Sequence, residues 1–220
     1  VQALASLASI ILENSLMLEF QRDLLIRLSR TQNTADLFER ILDEALAITR
    51  AEGGSLYLAP QNGAPRLEFV LLKNQVLKLN LGGRHGQPVD MAPLQLEKNG
   101  EANLANVATY TALSRETVNI RNAYHDIRFD FSGMKAFDNT YRYRSRSFLS
   151  VPLINQSGNV LGVLQLVNAR DPEDQITAFE ERQEPIVQAL ASYAAIALEN
   201  QLLREDHARL QAQLEAVRKS

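Results

Sequence analysis

Apolar residues return every seven positions at the start of the chain. Leu4, Ile11, Leu18 and Leu25 form one row, and Leu7, Asn14, Gln21 and Leu28 form its companion. Such rows predict a helix from Leu4 to about Ser29 with a coiled-coil seam; an amphipathic helix packed on its own domain is the competing reading. After the polar break Thr31-Gln32-Asn33-Thr34, the positions Leu37, Ile41, Leu42, Ala45, Leu46 and Ile48 predict a second helix, closed by Glu52-Gly53-Gly54.

Between Ser55 and Ala169 the period falls towards two. Ser55-Leu56-Tyr57-Leu58 and Arg66 to Lys73 read as strands joined at Gln61-Asn62-Gly63, and Val76 to Leu79 extends the sheet. Gly82, Gly83, Gly86 and Pro88 mark a loop. Asn103 to Leu113 reads as a short helix with Asn103 as its N-cap. Thr117 to Ile120 is a strand, and Arg121 to Tyr141 is polar and aromatic with weak periodicity. The clearest hairpin pairs Phe148–Ile154 with Val160–Val167 across Asn155-Gln156-Ser157-Gly158-Asn159.

A last helix runs to the end of the chain. Thr177-Ala178-Phe179-Glu180 has capping-box spacing, but Pro185 falls inside the helix so begun, which predicts a kink or a later start. Ala189, Ile196, Leu203, Leu210 and Val217 recur by sevens, with Tyr193, Asn200, His207 and Leu214 as companions. The plan is therefore an N-terminal helix (1–30), an α/β domain (31–200) and a linker helix (201–220).

Composition narrows the chemistry. A formal net charge of −3 lacks the basic excess of a general nucleic-acid binder. The absence of cysteine removes disulfides, thiolate metal sites and cysteine nucleophiles, and suits a reducing cytoplasm. No apolar run approaches the roughly 20 residues that span a bilayer, and the start lacks the basic residues of a signal peptide. A beginning at Val1 carries the expectation of a piece of a longer protein.

Several blocks together resemble the GAF domain. They are Asn106-Val107-Ala108, Glu116 to Ile120, Phe129-Asp130-Phe131-Ser132-Gly133, Ala136-Phe137-Asp138, Tyr143 to Leu153, and Gly162 to Ala169. The subtype is similar to domains preceding bacterial cyclic-nucleotide phosphodiesterases, HD-GYP phosphodiesterases and nucleotide cyclases. The resemblance covers about Ala35 to Asn200. It implies an α+β fold: a central six-stranded antiparallel sheet, helices on one face, a ligand pocket under short helices on the other, and long terminal signalling helices. It also implies a regulatory role and a small-molecule ligand, a cyclic nucleotide (cAMP or cGMP) or a similar anion, with no other cofactor.

The ligand-facing set implied by the resemblance is Leu72, Val107, Ala108, Tyr124, Phe131, Asp138, Tyr141, Arg144 and Gln165. Val107-Ala108 matches a helix start that faces phosphate, where unpaired amides and the helix dipole favour an anion. Tyr124 matches a residue beside phosphate and ribose. Gln165 matches a strand residue whose amide can both donate to and accept from a purine edge; a satisfied polar residue on a half-buried strand is the alternative. Leu72 stands where a base-stacking aromatic is usual, and Tyr141-Arg142 replaces Thr-Gly. Asn168 is followed by Ala169, and Phe179 by Gln183-Glu184, so the Lys and Asp of a structural ion pair are absent. The alternation Arg142, Arg144, Arg146 would put three cations on one side of a strand. With Arg121, Arg128 and Lys135 they form either an anion-attracting rim or a solvated edge.

Catalysis finds little support. His85, His125 and His207 are scattered, and His125-Asp126 has no companion ligands at helical spacing. Gly82-Gly83-Arg84-His85-Gly86 lacks the Lys-Ser/Thr end of a P-loop. The expectation is a non-enzymatic sensor that forms a parallel homodimer through its terminal helices and controls a C-terminal output domain, with no nucleic acid and no membrane involved. The alternative is a pairing module whose pocket is plugged by Tyr141 and Arg142. A sulfoxide reductase of this fold would need cysteines that the chain lacks.

Overall fold

A computed structural model describes residues 33–219 apart from residue 85. The predicted helix from Leu4 to Ser29 lies outside the described residues, as does His85. The first described helix, α1 (Thr34–Thr49), is capped by Asn33, whose side chain accepts from the Ala35 amide at 2.9 Å. Its buried stripe is Leu37, Phe38, Ile41, Leu42, Ala45 and Leu46. It ends earlier than the glycines suggested: Arg50 turns left-handed at φ 51°, and Glu52-Gly53-Gly54 already belong to the first strand.

The sheet strands are β1 (Ala51–Leu58), β2 (Arg66–Asn74), β3 (Leu79–Gly82), β7 (Val118–Ile120), β8 (Phe148–Ile154) and β9 (Val160–Arg170). They lie antiparallel in the order β3-β2-β1-β9-β8-β7. Two short strands extend it, β4 (Leu94–Gln95) on β2 and β10 (Ile176–Thr177) on β9, and β5 (Glu97–Lys98) pairs with β6 (Glu101–Ala102) alone. The six-stranded sheet expected from the resemblance is present.

Because strand side chains alternate, each strand serves two cores. Leu56, Leu71, Leu149, Val151, Leu153, Leu164 and Leu166 face α1 and the last helix, α4 (Glu184–Lys219). Tyr57, Leu67 and Val163 pack on the other face against Ala108 and Ala112 of α2 (Val107–Ser114). A third cluster joins Val107, Val118, Ile120, Ala123 and Phe131 at the start of α3 (Ser132–Tyr141).

Four local expectations need correction. Asn106, not Asn103, caps α2; Asn103 donates its amide to the Gln95 carbonyl, and its own carbonyl accepts the Thr109 hydroxyl. The weakly periodic segment before Tyr141 contains α3, whose charged and small residues hide its period. The capping box is Glu180 with Gln183 rather than Thr177 with Glu180; it opens a 3-10 turn (Glu181–Gln183), and α4 starts only at Glu184. Pro185 then falls in the first turn, where its missing N–H costs nothing, so the later start replaces the kink. Finally, Arg142, Arg144 and Arg146 do not share a strand side. Arg142 is the left-handed cap of α3 at φ 51°, and β8 begins only at Phe148.

Helix α4 has two apolar stripes. Val187, Leu190, Ala191, Ala194, Ala195 and Leu198 are buried on the sheet. Opposite them the predicted row Ile196, Leu203 and Leu210, with Leu214, is exposed by 41–67%.

Candidate functional site

One row of cross-strand partners crosses all six principal strands: Leu81, Leu72, Ser55, Gln165, Ser150 and Val118. Partners in register share a face, so Leu72 and Gln165 sit two strands apart, about 9.5 Å, on the side where Ala108 and Ala112 of α2 pack. Three polar side chains at the centre of an otherwise apolar sheet face demand partners. Thr111 of α2 donates to Ser150 Oγ at 3.0 Å, both being buried, and Tyr57 donates to Gln165 Oε1 at 3.3 Å. Burial pushes the Tyr57 phenol well above the ordinary tyrosine range. Gln165 itself is only half-buried, and its side-chain amide nitrogen is the donor this face presents.

Val107 and Ala108 begin α2, with Ala108 packed against Tyr57, Leu67 and Val163 and Val107 against Val118 and Ile120. The Ala108 amide, however, already donates to Asn106 Oδ1 at 2.9 Å, and the Thr109 amide shares that oxygen at 3.4 Å. The helix start is capped by its own chain, so an anion there would have to displace or share the Asn106 cap.

Tyr124, Asp138 and Arg144 form a second group. The buried Asp138 carboxylate accepts from the Tyr124 hydroxyl at 2.6 Å, the Ser145 amide at 2.8 Å and the Ser145 hydroxyl at 2.8 Å. That acceptance, with some burial, holds the Tyr124 phenol above its ordinary value. The Arg144 guanidinium lies 4.2 Å from the Tyr124 ring centroid, a cation–π contact. The knot pins the segment from Tyr124 to α3 against the strand that follows. Phe131 has its ring in the core, 6.2 Å from Phe148 and 6.3 Å from Phe129.

Tyr141 is 47% exposed and stacks on Phe137 at 4.5 Å, while Arg142 is exposed at the helix end. The basic segment is largely engaged. Arg128 pairs with Asp126 at 2.6 Å, Arg146 donates to the Ile176 carbonyl at 3.2 Å, and Arg144 covers Tyr124. His125 is an exposed loop residue beside Asn122.

Sequence reasoning missed a buried polar network at the far end of β1 and β9. Asn168 donates to Glu52 Oε2 at 2.6 Å, to Tyr143 at 3.0 Å and to the Arg144 carbonyl at 2.8 Å, and accepts from the Arg146 amide at 2.6 Å. Glu52 also takes bonds from Tyr143 and Arg170. The Lys–Asp pair of the family motif is absent, as Ala169 and Gln183 imply, but Glu52 of β1 and Arg170 of β9 form an ion pair of their own.

Among the described residues no three His, Cys, Asp or Glu side chains gather to hold a metal ion. No helix among them is long and apolar enough to cross a membrane.

With this geometry established, the comparisons agree on the class. The GAF domain family matches residues 33–198, most of the chain, and the chain belongs to that family. In sequence it is 29% identical over 202 residues to a dual 3',5'-cyclic-AMP and -GMP phosphodiesterase 11 of Drosophila melanogaster, covering 88% of this chain and 12% of that protein. It is 33% identical over 112 residues to the dual phosphodiesterase 11A of Takifugu rubripes, covering 49% of this chain and 12% of that protein. The chain thus spans about an eighth of the length of these relatives. In structure it resembles the GAF domain of an Acinetobacter phosphoenolpyruvate-protein phosphotransferase, with TM-score 0.60, 18% identity, and 87% and 98% of the two chains covered. It also resembles the free methionine-R-sulfoxide reductase of Neisseria meningitidis, with TM-score 0.55, 13% identity, and 81% and 86% covered. Those identities carry the fold alone.

Proposed function

We propose that this chain is the ligand-sensing regulatory part of a longer cytoplasmic signalling protein, and that its ligand is a purine cyclic nucleotide, cAMP or cGMP. The chain does no chemistry itself. Membership of the GAF family and the similarity to phosphodiesterases of cyclic AMP and cyclic GMP support this reading. The observation that carries it is Gln165. It stands in mid-sheet, half-buried, with Tyr57 on its oxygen and α2 packed on the same sheet face. A purine edge offers both the acceptor and the donor that such an amide needs.

In this reading the ligand lies between the Leu72–Gln165 row and the two short helices. It favours one packing of the segment from Tyr124 to Tyr141, and α4, on the opposite face, carries the difference onward to an output domain. Only unequal affinity for the two packings can shift their populations. The long helices pair the protein with a second copy, so that the shift is expressed between subunits.

The test is thermal melting with and without cAMP or cGMP. A nucleotide at a hundred times its Kd adds about 2.7 kcal/mol by mass action, and Gln165→Ala should remove most of the rise in Tm. An unchanged melting temperature with both nucleotides would sink the ligand assignment. A full response in Gln165→Ala would take that residue out of the site.

A further inference from the structure

Strand β7 closes one edge of the sheet, and among the described residues it has β8 as a strand neighbour on one side alone. Its alternate side chains serve different parts of the molecule. Val118 and Ile120 are buried with Val107, Ala123 and Phe131, in the cluster that seats the segment leading into α3. Asn119, between them, faces the other side and reaches the start of α4. Its amide nitrogen donates to the Phe179 carbonyl at 3.1 Å and to Glu184 Oε1 at 2.8 Å. Gln188, one turn along α4, donates to Thr117 Oγ1 at 2.9 Å.

The Asn119 amide is fixed in one orientation. Both partners of its nitrogen are acceptors, so turning the amide round would set its oxygen against two more oxygens. As it stands, Asn119 Oδ1 is buried with no donor, and no other buried side-chain nitrogen or oxygen among the described residues shares that condition. The unsatisfied carbonyl marks the place where the edge of the sheet meets the long helix. Apolar burial holds α4 on the sheet without fixing its place along it, because that attraction has no direction. The bonds of Asn119 have direction, and they fix where the helix starts relative to β7.

We infer that Asn119 is the positioning residue through which the segment from Ala123 to Phe131 sets the start of α4. A change in the packing of Phe131 displaces Val118 and Ile120. An edge strand with one neighbour follows that displacement, and Asn119 carries it across the sheet to Phe179 and Glu184. The inference rests on the sensing role proposed above and names the route by which the segment reaches the helix. Such coupling is established when an effect at one end disappears on removal of the middle.

Hydrogen exchange read by mass spectrometry on the full chain supplies that test. Phe131→Leu disturbs the β7 cluster from the segment side. Exchange should quicken about threefold or more at residues 186–194 of α4 as well as at 121–131. Residues 37–46 of α1, packed on the same sheet, should keep their rates. In an Asn119→Leu background, Phe131→Leu should still quicken 121–131 but lose most of its effect at 186–194. If that double variant does not fold, Asn119→Ser, too short to reach Glu184, replaces Asn119→Leu with the same expectation. Equal quickening at 186–194 with and without Asn119 overturns the inference. So does a Phe131→Leu effect that never reaches α4, or one that spreads equally to α1. No nucleotide enters the experiment, so a failed ligand assignment and a failed coupling are separate results.

Discussion

Asn168 gives its side-chain amide to Glu52 across 2.6 Å while its own backbone sits at φ 57°, in the left-handed region. Two demands meet at that position: a short polar side chain that tolerates the turn, and donors for a buried carboxylate. Asn168→Ala meets neither. It takes one of three donors from Glu52, leaves the Arg146 amide without its acceptor, and urea denaturation should show a loss of about 3 kcal/mol. A loss below 1 kcal/mol would mean that water replaces the amide.

The tyrosines set an alkaline limit. Burial and the Glu52 carboxylate raise Tyr143, burial raises Tyr57, and Asp138 raises Tyr124, all from an ordinary 10.0. In each case the folded chain keeps its proton where the unfolded chain has lost it. The associated stability is therefore complete below pH 10 and declines as pH rises through the folded values. Urea midpoints should be flat from pH 8 to about 9.5 and fall by pH 11. Tyrosinate absorbance of the native protein should lag that of the unfolded chain, and coincident titrations would refute the assignment.

Asp138 is worth more than any one of its partners. Tyr124→Phe removes one bond and should cost about 1 kcal/mol. Asp138→Ala leaves the Ser145 amide and hydroxyl without their acceptor and should cost about 3 kcal/mol. Hydrogen exchange should then quicken between residues 121 and 145 before the sheet responds. Uniform loss of protection would show that the knot supports the whole domain rather than this segment.

Gly162 is required by strand spacing rather than by its own dihedrals. A Cβ there would lie 2.2 Å from the Tyr57 carbonyl oxygen, a backbone atom with no rotamer to escape through. Gly162→Ala should therefore destabilise by about 3 kcal/mol or prevent folding. Gly158→Ala, in the neighbouring turn, has open space for its Cβ but adopts φ 81° and should cost only about 1 kcal/mol.

What could be read from the chain alone was whatever repeats at short range. The period of seven in α4, the period of two in β8 and β9, and the Asn155–Asn159 turn each follow from one residue's relation to its near neighbours. Local side-chain geometry fixes those relations. The family blocks Ala136-Phe137-Asp138 and Gly162 to Ala169 likewise put Asp138 and Gln165 forward as candidates for a ligand site. Tertiary structure decided everything that depends on residues far apart in the chain. It aligned Leu72, Ser55, Gln165 and Ser150 in one row and gave Asp138 three donors from two segments. It formed an ion pair between Glu52 and Arg170, 118 residues apart, at positions that no motif marks. It also chose Asn106 over Asn103 as the cap of α2, because Asn103 was needed by Gln95. A buried polar group is satisfied by whichever partner the packed chain brings within reach, and sequence spacing carries no record of that choice.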